Sequence, residues 1–124
     1  MTIADTDVLI DALRGRADAV AAIERGLRAG TLATTAVTLF ELRSGAADAA
    51  AREAVDALIG GMDVVPFDAA GAARAAEVRR DLESRGQAIG MADYMIAGAC
   101  LSRSADLLTR NRRHFERVPS LRLA

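Results

Sequence analysis

The chain has 124 residues, 52% hydrophobic, 27% charged and only 3% aromatic, so one domain is expected, with a core of small aliphatic side chains. A net charge of −1 excludes a free-standing basic coat for nucleic acid, and the single cysteine, Cys100, excludes an internal disulfide or a cysteine-only metal cluster. No stretch approaches the ~18 apolar residues of a membrane span and no export signal opens the chain, so a cytoplasmic location is expected. Lysine is absent and all 16 basic residues are arginine.

In chain order, Thr2-Ile3-Ala4 is a short apolar entry that ends at Asp5-Thr6-Asp7, and Val8, Leu9, Ile10, Ala12 and Leu13 then recur at helical spacing. A second helix is predicted from Ala17 to Ala29, stopped by Gly30. Leu32 to Ala36 is β-compatible, and Val37, Leu39, Phe40 and Leu42 return to helical spacing. Asp48 to Ile59 reads as a helix closed by Gly60-Gly61, and Met62 to Phe67 as a strand ending near Pro66. Asp68 caps a long helix that runs to Arg85-Gly86. Met91 to Ser102 is a helix, Ala105 to Leu108 a strand, Arg112 to Phe115 a single turn, and Leu121 to Leu123 a last short strand. Strands separated by helices favour parallel pairing, with helices on both faces of the sheet.

In such a sheet a site forms beyond the carboxyl ends of the strands. Asp5 and Asp7 follow the first predicted strand, Glu41 is expected near the start of the helix after the second, Asp93 opens the helix at Met91, and Asn111 follows the strand ending at Leu108-Thr109. Oxygen-only donors suit hard divalent cations such as Mg²⁺ or Mn²⁺. The matching chemistry is metal-assisted attack of water on a phosphodiester. Each residue also has a purely structural reading. Asp5 or Asp7 can cap a helix, Thr38-x-x-Glu41 fits a capping box, and Asp93 and Asn111 suit helix starts.

The segments Asp5-Thr6-Asp7-Val8-Leu9-Ile10, Val37 to Gly45, Ala88 to Ala97 and Leu108 to Val118 resemble, in order and spacing, the four motifs of the PIN-domain nucleases. Over nearly the whole chain the pattern is most similar to the VapC toxins of bacterial VapBC toxin–antitoxin systems. The resemblance implies a three-layer α/β/α fold with a short twisted parallel sheet. It also implies a Mg²⁺- or Mn²⁺-dependent endoribonuclease acting on structured RNA, often tRNA, in a chain that usually dimerises. A VapB-type antitoxin would cover the acidic groove with its C-terminal tail. Carried over by position, Asp5 and Asp93 are the metal ligands and Glu41 completes the acidic trio. At the fourth motif, His114 stands where many relatives carry an acid, which implies a weaker second metal position. The resemblance implies Asn111 and Thr109 as further contacts there, while the hydroxyls of Thr6 and Thr109 read equally as groups that orient a ligand or as caps.

Among lesser signals, Asp7 reads as a support for a neighbouring ligand or a cap, and His114 as a solvated helix residue or, alternatively, a general acid or phosphate contact. Arg110, Arg112 and Arg113, with Arg117, place four positive charges beside the proposed site, which read equally as a patch for RNA phosphates or as a solvated arginine surface. Cys100 reads as a buried small hydrophobe, and Tyr94 as a weak candidate for base stacking. Two other functions compete. Asp5-Thr6-Asp7-Val8 fits the nucleophile motif of haloacid-dehalogenase-like phosphatases, but the late acidic pair those enzymes need is missing. The second alternative is a weakened or non-catalytic PIN module that acts through its antitoxin.

Overall fold

The computed structural model describes residues 1–124. The element order is β1 (Thr2–Ala4), α1 (Thr6–Leu13), α2 (Ala17–Ala29), β2 (Leu32–Thr35), α3 (Ala36–Gly45), α4 (Ala49–Ile59), β3 (Asp63–Val65), α5 (Ala69–Ser84), α6 (Met91–Ser102), β4 (Asp106–Leu108) and α7 (Arg112–Phe115). The four strands form one parallel sheet in the order β3-β2-β1-β4, with Ile3 opposite Ala33 on one side and Leu107 on the other. β1 is therefore central, and the chain winds outward from it in both directions. This reversal opens a crevice at the carboxyl end of β1.

The alternation of side chains along the strands divides the core in two. Ile3, Ala33 and Leu107 face Val78, Leu82, Tyr94, Ile96 and Phe115. Ala4 and Leu32 face Val8, Leu9, Ile23, Leu42, Val55 and Ile59 on the other side. The result is the three-layer α/β/α arrangement, with α1 to α4 on one face and α5 and α6 on the other. With so few aromatics, close approach takes the place of side-chain bulk. Helices α5 and α6 pack so tightly that a Cβ at Gly98 would lie 2.4 Å from the Gly71 carbonyl oxygen and 2.7 Å from the Ala75 Cβ. No helix is long and apolar enough to cross a membrane.

Two expected elements are shorter than their sequence signal. The strand expected over Met62 to Phe67 pairs only over Asp63–Val65, where it forms an edge and leaves Val64 36% exposed. The segment Leu121 to Leu123 makes a single parallel bridge, Leu107 to Leu123, rather than a full strand. In both cases one flank has no further strand to pair with.

The packing at Gly98 generates a prediction with its own control. Gly98→Ala should destabilise the protein by about 1–3 kcal/mol, because the obstructing atoms are backbone and helix Cβ groups that cannot swing aside. Gly45→Ala, at the end of α3 with nothing within 4 Å of the new Cβ, should be neutral or stabilising by up to about 1 kcal/mol. Urea denaturation of both variants measures the contrast.

Candidate active site at the end of the central strand

Asp5 follows the last residue of β1 and is only 4% exposed. Its amide donates to the Leu108 carbonyl at 2.8 Å, which fixes it against β4. One carboxylate oxygen, Oδ1, accepts from the Thr6 amide at 2.8 Å and caps α1; the other, Oδ2, accepts from the Thr109 hydroxyl at 2.7 Å. The capping and functional readings of Asp5 are therefore compatible, because each uses a different oxygen. Burial, with Asp7 and Asp93 as like-charged neighbours, pushes the Asp5 carboxyl up to about 7 despite those hydrogen bonds.

Glu41 arrives by a different route from the one its motif suggests. The N-cap of α3 is Thr35, whose hydroxyl accepts from the Thr38 amide at 3.0 Å, so Glu41 lies in the second turn and closes no capping box. Its Oε1 accepts from the Thr6 hydroxyl at 2.7 Å, and Thr6 Oγ1 lies 3.0 Å from Thr38 Oγ1. Two threonine hydroxyls thus tie α3 to the start of α1. Asp93, in the first turn of α6, reaches back to the Gly90 backbone and is half-buried. Its carboxyl is raised by burial, with Glu41 and Asp7 raising it further and His114 working against them. Asp5, Asp7, Glu41 and His114 therefore all lie within electrostatic reach of Asp93 at the carboxyl end of the sheet.

The β4–α7 loop closes the crevice on its far side. Thr109 Oγ1 receives the Asn111 amide at 2.9 Å, and the Arg110 amide donates to Asp7 Oδ1 at 3.2 Å. Asn111 is the N-cap residue of α7 but makes no side-chain cap; its amide group meets His114 Nδ1 at 2.9 Å instead. The arginines of this segment are largely engaged in contacts with the protein itself. Arg110 pairs with Asp11 at 3.3 Å, Arg112 reaches the Ala124 carbonyl at 2.8 Å, and Arg117 the Ala88 carbonyl at 3.2 Å. Arg113 makes neither a hydrogen bond nor an ion pair.

Other residues fall outside the site. Tyr94 is 2% exposed and its hydroxyl accepts from the Ile89 amide, so it anchors the loop before α6 and presents no ring for stacking. Cys100 is buried and its thiol is pushed up to about 12, which suits a core residue rather than a nucleophile. Asp68, three residues beyond edge strand β3, caps α5 through the Gly71 amide and pairs with Arg103. Those contacts hold its carboxyl below the usual range. The residue missed by sequence reading is Asp11. It lies on the buried face of α1, 5% exposed, and its only sequence signal is a lone acid between Ile10 and Ala12.

The donor set is all oxygen and mutually repulsive, which suits a hard cation. The groups line the crevice without forming one closed shell: no three acidic, histidine or cysteine side chains stand close enough together to hold an ion.

Comparison with known proteins identifies the family and the fold. The PIN domain family model matches residues 2–121. The chain is 34% identical over 123 residues to the tRNA(fMet)-specific endonuclease VapC of Shigella flexneri, an alignment covering 95% of this chain and 92% of that protein. Its backbone matches the DNA-bound VapBC structure from Salmonella typhimurium with a TM-score of 0.88 and 29% identity, over 99% of this chain and 96% of that one. VapBC2 from Rickettsia felis, solved with a promoter DNA fragment, matches with a TM-score of 0.92, again over 99% and 96%; at 24% identity this likeness speaks for the fold alone. A crevice of acids at the end of a central parallel strand, a family model spanning nearly the whole chain and a full-length relative above 30% identity agree: the chain belongs to the PIN-domain family, in its VapC branch.

Proposed function

We propose that the protein is the toxin of a type II toxin–antitoxin pair, a metal-dependent endoribonuclease that cuts structured RNA of the tRNA class and is restrained by a VapB-type antitoxin. The observation that carries this reading is Asp5, a buried carboxyl held by two fixed donors and facing further carboxylates that raise its proton affinity. A cation would relieve that repulsion. Asp5 and Asp93 would hold it, with Glu41 completing the acidic trio. When bound, Mg²⁺ or Mn²⁺ would supply the Lewis acidity that lowers the pKa of an attacking water and offsets charge developing on the phosphate.

The chain's own residues do the positioning. Thr109 and the Thr6 amide fix both Asp5 oxygens, and Thr6 Oγ1 orients Glu41. Arg113, with no partner in the protein, is free to meet a phosphate, while Arg110 and Arg112 add positive potential at the same rim. An apolar groove of about 480 Å³, lined by Ile10, Leu13, Leu42 and Val55 with Glu41 in its wall, offers an antitoxin tail a surface next to the acids. One observation favours the second reading, a module that binds its partner without cutting: the acids are not gathered around a common point.

The proton held by Asp5 has a consequence for stability. Its carboxyl lies at about 7 in the folded protein against 3.8 for a free aspartate side chain, so the native state binds the extra proton between those limits. The contribution of Asp5 to stability is therefore fully present below the lower value and is lost as pH rises through the upper one, by up to about 4 kcal/mol. Metal-free protein should lose stability between about pH 4 and 7, and Asp5→Asn should flatten that slope. Denaturant melts in EDTA at several pH values measure it; an unchanged slope in the variant would show that Asp5 is ionised in the fold.

The functional test is incubation of purified protein with cellular RNA in Mn²⁺, Mg²⁺ or EDTA, alongside Asp93→Asn. Discrete fragments should form only with metal and only in the wild type, while the variant keeps the wild-type melting temperature or exceeds it. Cleavage by Asp93→Asn at the wild-type rate would sink the mechanism. If wild type cuts nothing although Mn²⁺ raises its melting temperature, the binding-module reading takes its place. In cells, expression without the antitoxin should arrest growth, and co-expression should restore it.

A further inference from the structure

We infer that Asp11 and Arg110 form a positioning pair that latches the β4–α7 loop onto α1 and so holds Thr109 on Asp5; its consequence for metal binding and cleavage rests on the nuclease reading. Asp11 is 5% exposed, its Oδ2 lies 3.3 Å from Arg110 Nη1, and its Oδ1 is buried with no hydrogen-bond partner. The Arg110 guanidinium is thus its single ionic partner, while the Arg110 side chain itself remains 58% exposed.

Two acids one turn apart on a helix repel each other, and Asp7 and Asp11 are so placed on α1. Residue 110 answers both: its amide donates to Asp7 Oδ1 and its guanidinium meets Asp11. On either side, Thr109 donates to Asp5 Oδ2 and the Asn111 amide donates to Thr109 Oγ1. Thr109 and Arg110 are therefore registered directly against the acidic end of β1 and α1, with Asn111 tied to them through Thr109, and the ion pair is the one contact in the set made by a charged side chain of the loop. Lending Arg110 to a substrate phosphate would leave Asp11 buried and uncompensated, which is far costlier than leaving the pair intact. This distinguishes Arg110 from Arg113, which has no such obligation.

The test uses the full chain with Arg110→Gln, Asp11→Asn and the double variant, and three readouts: amide hydrogen exchange by NMR, Mn²⁺ affinity by titration, and kcat and KM on RNA. Arg110→Gln should speed exchange at the Arg110 and Asn111 amides by about tenfold or more while the sheet amides stay protected. It should also weaken Mn²⁺ binding by about 10- to 100-fold, the usual range for groups that orient a ligand, and lower kcat rather than raise KM. The double variant should regain the melting temperature lost in Arg110→Gln, since no uncompensated charge remains, without regaining loop protection or Mn²⁺ affinity. A rise in KM alone, with exchange and Mn²⁺ affinity unchanged, would make Arg110 a phosphate contact and overturn the inference. Variants that shift only the melting temperature would reduce the pair to a stabilising contact and overturn it equally. If the wild type neither binds Mn²⁺ nor cuts RNA, the nuclease reading falls, yet the exchange data still decide whether the latch exists.

Discussion

The structure turns on a carboxylate placed where it is hardest to keep ionised. Asp5 sits at the end of the central strand, almost wholly out of water, with Asp7 and Asp93 close enough to raise its proton affinity. Every neighbouring element contributes to tolerating it. The first turn of α1 supplies an amide, β4 a carbonyl that pins its backbone, and the loop after β4 a hydroxyl. Neither donor to the carboxylate, the Thr6 amide or the Thr109 hydroxyl, is cationic. They fix the carboxylate without neutralising it, which leaves the charge available to a cation from outside.

The same constraint explains why threonines recur around the site. Thr6, Thr38 and Thr35 form a run of hydroxyls between Glu41 and the end of β2, with contacts of 2.7 to 3.2 Å. A hydroxyl can donate to a carboxylate and accept from a backbone amide at once, so it links two elements without adding charge. Positive charge is kept one step away. Arg110 answers Asp11 rather than Asp5, and Arg117 is bound to the Ala88 carbonyl on the loop that leads to Asp93. The loop from Thr109 to Arg117 thereby joins the element carrying Asp5 to the one carrying Asp93.

The small-residue composition has a structural counterpart at the α5–α6 contact. Gly98 allows a helix–helix approach that any side chain would prevent, and α6 is the helix that carries Asp93 in its first turn. Close packing therefore seats the helix that carries Asp93 directly against α5. The acid at the edge of the sheet behaves differently. Asp68 lies three residues beyond β3, whereas Asp5 follows β1 directly, and with Arg103 beside it Asp68 caps α5.

The alternation of strands and helices was legible from the residues alone, and with it a parallel sheet and the strand ends where acids would gather. Apolar periodicity and glycine stops are local signals, and they survive folding because burial favours the same pattern that reveals it. Sequence also supplied the residue types that make hard-oxygen chemistry reasonable at Asp5, Glu41 and Asp93. Which acids come within electrostatic reach of one another depended on the folded arrangement. Asp5, Asp7, Glu41 and Asp93 are brought together by strand order, whereas Asp68 is set aside by the same order. The folded arrangement also decided that Glu41 enters from the second turn of α3, because Thr35 rather than Thr38 takes the cap. Asp11 and the ties of Arg110, Arg112 and Arg117 were illegible for a common reason: an ion pair or carbonyl contact between residues some 12 to 100 positions apart leaves no local pattern, and its existence depends on how far the sheet brings distant loops together.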